Sequence, residues 1–132
     1  MTILILCPTS SAENIFAEVP DLKTKTEYGD FRFLGGHRLW HAPEVMPRTY
    51  FPDHHGLEME KLPDGLRLRG SVESSTNIRK TISFRVSSSR PVVILEHTLD
   101  NRGQWPITLA SWAITMMRIG GTAVLPQPRG NV

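Results

Sequence analysis

Apolar and polar residues alternate through much of the second half of the chain. Between residues 77 and 86, Ile78, Ile82, Phe84 and Val86 fall on one face of an extended segment, and Arg79, Thr81, Ser83 and Arg85 fall on the other. Lys80 is the one polar break on the apolar face. Strand side chains alternate with period two, so this pattern predicts a half-buried strand. A loop, Ser87-Ser88-Ser89-Arg90-Pro91, follows. Residues 92–99 are then rich in β-branched side chains, with Val93, Leu95, His97 and Leu99 on one face. Asp100-Asn101-Arg102-Gly103 is a turn signal. Together these segments predict an antiparallel hairpin.

A second hairpin is predicted where residues 57–62 and 66–72 flank Pro63-Asp64-Gly65, a strong turn sequence. Residues 105–119 are long and apolar. Leu109, Trp112, Ala113 and Met116 have helical spacing, but Ile107, Thr108, Ile114 and Thr115 favour a long strand. Gly120-Gly121 then leads into a further expected strand over residues 122–125, and residues 126–130 read as irregular. The pattern predicts an all-β fold, an antiparallel β-sandwich forming one domain over residues 1–132.

Composition narrows the classes. A chain of 132 residues can bury one real core. No apolar run approaches the ~20 residues of a membrane helix. The apolar start, Ile3-Leu4-Ile5-Leu6, lacks a basic leader and is shorter than the ~7–15 residues of a signal-peptide core. It reads as a strand, and a cytoplasmic location with no membrane partner is expected. Cys7 is the only cysteine, so no internal disulfide forms, and its apolar surroundings predict a buried, inert thiol. The net charge is +2 with a pI near 9.0. The basic residues are dispersed along strands, so no nucleic-acid groove is expected.

The densest chemistry lies in Gly35-Gly36-His37-Arg38-Leu39-Trp40-His41-Ala42-Pro43-Glu44 and in Arg48-Thr49-Tyr50-Phe51-Pro52-Asp53-His54-His55. The segment 44–56 shows no periodicity and is too long for a simple connection, as functional loops often are.

These two blocks resemble a family of uncharacterised bacterial proteins with the galactose-mutarotase-like fold. Asn101-Arg102-Gly103-Gln104-Trp105-Pro106, Leu109-Ala110-Ser111-Trp112-Ala113, Gly120-Gly121-Thr122-Ala123 and Leu125-Pro126-Gln127-Pro128 add to the likeness, as does Asn14-Ile15-Phe16-Ala17-Glu18. The resemblance covers most of the chain from Asn14 onwards. It implies a sugar-binding super-sandwich related in fold to aldose epimerases. Large sandwiches run ~200–250 residues, so the chain looks like roughly the first half of one. Half a sandwich exposes an apolar face and an edge, which predicts a homo-oligomer, such as a homodimer, through that face or edge. Aldose epimerases carry an acid histidine on a central strand. The comparable stretch here, Ser111-Trp112-Ala113-Ile114-Thr115, has none, and their catalytic glutamate lies beyond this chain. Epimerase activity is not carried over.

The expected function is carbohydrate or small polar-ligand binding in a cleft built by residues 35–53. Trp40, Tyr50 and Trp112 offer flat faces; His37, Arg38, His41, Glu44 and Asp53 offer polar contacts. Arg38 is the expected anchor and Trp40 the stacking surface. The competing reading puts Trp40 and Trp112 in the core and pairs Arg38 with Glu44 or Asp53. An enzyme of the aldose 1-epimerase kind, assembled in an oligomer, is the alternative function, with His37 and Glu44 as candidate catalytic groups. A folded fragment without a ligand is a third. His37, His41, His54, His55 and His97 with Glu44 and Asp53 include zinc-ligand types, but in no spacing motif and without a cysteine partner, so no metal site and no cofactor are expected. His97 shares a face with Val93 and Leu95 and reads as a satisfied core histidine.

Overall fold

The structure, a computed structural model, describes residues 1–3, 5–8 and 10–126. Among these residues it is all-β with antiparallel sheets, in a sandwich-like arrangement. The strands are β1 (Thr2–Ile3), β2 (Glu18–Thr26), β3 (Gly29–Gly35), β4 (His37–Ala42), β5 (Glu58–Leu62), β6 (Gly65–Val72), β7 (Ile78–Val86), β8 (Val93–Asn101) and β9 (Ala110–Thr115). Among the described residues no helix is long and apolar enough to cross a membrane.

The two expected hairpins are present and adjacent. β5, β6, β7 and β8 form one four-stranded meander. Pro63-Asp64 closes the first hairpin, with Leu62 opposite Gly65. In β7 the alternation places Ile82 and Lys80 on the inner face, opposite His97 and Leu99 of β8. β8 continues through Asn101, so the expected turn begins later than the sequence implies. Arg102 closes it by donating its backbone N–H to the Asn77 carbonyl at 2.8 Å.

β4 is the central strand of a second sheet, ordered β1, β4, β9. Its residues are buried on both faces. Toward the four-stranded sheet, Leu39 packs with Met1 and Ile82, bordered by Ile3, Leu68, Leu95 and Leu99. Toward the β2–β3 hairpin, Arg38 and Trp40 meet Phe31. Three layers result, with β4 in the middle.

The chain turns from β3 into β4 through Leu34, Gly35 and Gly36, all with positive φ (61°, 87° and 67°). Gly35 is required twice over. Its φ belongs to the left-handed region, and a Cβ there would stand 2.2 Å from the Ala17 carbonyl oxygen.

Several expectations need correction. The long strand over 105–119 is reduced to β9, because Pro106 cannot donate to a ladder and residues 107–109 leave the sheet to line a pocket. No strand forms over 122–125, where Val124 and Leu125 lie in solvent. At the start, β1 covers Thr2–Ile3 and Ile5 is exposed; Leu4 lies outside the described residues, as do residues 127–130 of the expected irregular end. Cys7 is exposed rather than buried, its thiol directed at the Ala12 carbonyl 3.6 Å away.

Candidate functional site

β4 holds four of the expected site residues, and strand geometry divides them between two layers. His37 and His41 face the four-stranded sheet. Arg38 and Trp40 face the hairpin.

On the hairpin side the expected anchor, Arg38, and the expected stacking surface, Trp40, do not open to solvent. Arg38 and Trp40 are only 5% and 7% exposed. Trp40 packs at 5.1 Å, nearly edge-on, against Trp112, its register partner on β9, and at 5.7 Å against Tyr50. Tyr50 donates its hydroxyl to Glu44, and that bond raises the phenol above its usual pKa. The Arg38 guanidinium lies 4.5 Å over the Phe31 ring, donates to Thr2 Oγ1 and the Arg32 carbonyl at 2.6 Å each, and stands 3.3 Å from Asp53. A hollow of about 40 Å³ beside Arg38 and Trp40 has room for a few waters but not for a sugar ring. The aromatic faces are spent on one another and the arginine on Asp53.

Asp53 also receives the Met1 amine. Burial raises the Asp53 carboxyl, but the charges of the amine and Arg38 outweigh it and hold the group below its usual value. Burial pushes the amine down to about 5.

On the other side, His37 bonds His97 and Thr115, not Glu44. The two candidate catalytic groups therefore engage different partners. Burial lowers the pKa of His37, and the His97 ring adds to this. The His54 and His55 rings lie 3.8 Å apart, tilted by 49°, and among the described residues no three His, Cys, Asp or Glu side chains converge to hold a metal ion.

His41 opens onto a different feature. Its ring is 2% exposed, with Nε2 3.6 Å from Glu73 Oε2, too far for a hydrogen bond but within ion-pair range. Glu73 is buried too. Lys80 Nζ lies 2.6 Å from its other oxygen, and Thr76 donates to Oε2 at 2.8 Å. Burial raises this carboxyl, but His41 and Lys80 outweigh it, and the pKa is lowered overall. The polar break on the β7 face is thus a buried ion pair.

The turn from β6 to β7 is held by the Glu73 carbonyl, which accepts from the Thr76 and Asn77 amides, and it sets Ser75 and Thr76 beside His41. Arg48 arrives from the opposite side on a 3₁₀ turn, Arg48–Tyr50. That turn is stapled by Val45 donating to Thr49 Oγ1 and Thr49 donating to the Val45 carbonyl, both at 2.8 Å. His41, Arg48, Ser75 and Thr76 form the polar wall of a pocket of about 210 Å³. Ile78, Ile107 and Leu109 form its apolar wall. His41 Nε2, Arg48 Nε and Ser75 Oγ are buried with no hydrogen-bond partner among the described residues.

Of the expected ligand-binding residues only His41 lines this pocket. Arg48 stands in the second dense block but not among the expected ligand-binding residues, and Glu73, Ser75 and Thr76 lie outside both blocks. The Lys80 interruption was the one usable signal, since a buried lysine needs a carboxylate close by.

Comparison of the chain with protein-family models, with curated proteins and with solved structures found no match.

Proposed function

We propose that this protein binds a small polar ligand, of carbohydrate type, in the pocket between β4, the Arg48–Tyr50 turn and the turn joining β6 to β7. One observation carries the reading: His41, Arg48 and Ser75 line the same small volume, and each has a buried polar atom with no hydrogen-bond partner among the described residues, His41 Nε2 lying in ion-pair range of Glu73. Buried polar groups left unpaired cost roughly 1–3 kcal/mol each, and a ligand supplying partners recovers that cost. The volume of about 210 Å³ is below the ~300–1,000 Å³ of drug-sized sites, which limits the ligand to about one sugar ring. The apolar wall suits C–H surfaces. The galactose-mutarotase-like resemblance of residues 35–53 supports a sugar as the class.

Isothermal titration of the full chain with galactose, glucose and their acid derivatives tests this. Saturable one-to-one binding that weakens in Ser75→Ala and His41→Ala is the expected result. No heat with any of these compounds at millimolar concentration overturns it.

A sugar isomerase working in this pocket is a second reading, supported by the placement of His41 on its wall with Glu73 behind it. A histidine backed by a carboxylate is suited to moving protons. Polarimetry of galactose mutarotation, with Glu73→Gln as comparison, tests it; an unaccelerated rate overturns it.

A further inference from the structure

We propose, on the footing that this pocket is the ligand site, that the ligand's anchoring group is an oxyanion seated on Arg48. Arg38, Arg67, Arg69, Arg85, Arg102 and Arg118 each lie within 4.0 Å of a carboxylate. Arg48, like Arg32, Arg79 and Arg90, has no such partner among the described residues, and of these four it is the one that lines the pocket. Its Nη2 donates to the Pro43 carbonyl at 2.8 Å, which fixes the guanidinium without neutralising it, and its Nε is buried and unpaired.

Among the described residues no Asp or Glu lines the pocket. Glu73, the carboxylate behind His41, is already engaged by Lys80 and Thr76. The wall therefore combines a cation without a carboxylate partner with Ser75, whose hydroxyl has no hydrogen-bond partner among the described residues. A guanidinium recognises planar carboxylates and phosphates through charge-assisted hydrogen bonds. The apolar wall of Ile78, Ile107 and Leu109 requires an organic body behind the anion, so a sugar acid or sugar phosphate fits better than a bare ion.

Calorimetry at low ionic strength with galactose, galacturonate, a galactose phosphate ester and inorganic phosphate tests this on the full chain. The expected result is that at least one of the two anionic sugars binds about tenfold or more tightly than galactose, in line with hydrogen bonds to charged groups. Added salt weakens that binding, and Arg48→Gln abolishes the advantage. The order of galacturonate and the phosphate ester tells the two oxyanion sources apart. Inorganic phosphate binding as tightly as the ester means that an adventitious ion site only is present, and the proposal falls. It also falls if galactose binds as tightly as both anions or if Arg48→Gln keeps the advantage, while the pocket itself survives as a neutral-sugar site. Should no compound bind, the ligand site and the oxyanion anchor are both overturned. Arg48→Lys, which keeps the charge, is expected to retain part of the advantage and separates charge from loss of fold.

Discussion

His37 and His97 meet Nε2 to Nε2 at 2.7 Å, and this contact ties the three-stranded sheet to the four-stranded one. One of the two nitrogens carries the proton and the other accepts it. His37 Nδ1 is held in turn by Thr115 Oγ1 at 2.8 Å. A second proton on the accepting ring enters at its Nε2 and sets donor against donor across the sheets. Burial lowers the pKa of both rings, in keeping with a pair that stays neutral.

Acid is therefore expected to loosen the fold. A base whose pKa is lower in the folded state takes up its proton first in the unfolded chain, so stability drops as pH falls below the unfolded value. The Met1 amine, lowered from 8.0 to about 5, acts in the window between those values. His37, His54 and His97, all lowered from 6.5, add to the loss below that pH. Asp53 and Glu73 are acids held below 3.8 and 4.5, and their contribution disappears lower still. All these shifts have the same sign. Urea unfolding followed from pH 8 to pH 5 is expected to show a steadily falling midpoint, with a shallower slope in His97→Gln. A midpoint that rises on acidification contradicts the burial of these bases.

Arg38 and Asp53 form a pair that is costly to break on one side only. Arg38→Met leaves the Asp53 carboxylate buried beside the Met1 amine, at an expected cost of about 3–5 kcal/mol. Asp53→Leu strands the buried Arg38 guanidinium and leaves the Met1 amine without its partner, and is expected to cost as much. The double substitution Arg38→Met/Asp53→Leu removes both charges, and stability is expected to return in large part. Denaturant titration of the four proteins as a double-mutant cycle gives the coupling energy. Additive losses show that the two side chains do not act as a pair.

The β3–β4 corner makes a sharper test of backbone geometry. Gly35 and Gly120 both have positive φ, 87° and 113°, but a Cβ on Gly35 collides with the Ala17 carbonyl and one on Gly120 meets nothing within 4 Å. Gly120→Ala carries only the strain of its φ, about 1–3 kcal/mol. Gly35→Ala carries the collision as well and breaks the approach at which Gly36 donates to Ala17 O at 2.9 Å. Its loss of stability in thermal melts is expected to be several times larger. Equal losses refute the corner as described.

The meander was legible because β6, β7 and β8 each have one face inward and one outward, so alternation reports burial directly. β4 defeats the same rule. Both of its faces are covered, and His37-Arg38-Leu39-Trp40-His41 shows no alternation to read. Polar side chains there pointed as easily to a solvent rim as to a buried pair, and Asp53, which decides the matter for Arg38, arrives from a loop without periodicity. The pocket was illegible for a related reason. His41, Arg48 and Ser75 lie on three separate elements, and only the chain's return through residues 107–109 encloses the space between them.

β9 raises the last expectation, that of self-association. It pairs with β4 on one side and, among the described residues, has no strand on the other. From Ala110 to Met117 the sequence carries no charge and no proline, the usual guards of an open edge. Met116, Met117 and Ile119 beyond it are exposed. An antiparallel edge can pair with its own copy about a two-fold axis, which would extend the three-stranded sheet across a dimer. Light scattering is expected to show a dimer that dissociates on dilution. Ala113→Lys puts a like charge near the axis at an exposed position, where the fold tolerates it, and is expected to leave a monomer with an unchanged melting temperature at low concentration. A wild-type chain that stays monomeric at high concentration shows that this edge is not a pairing surface.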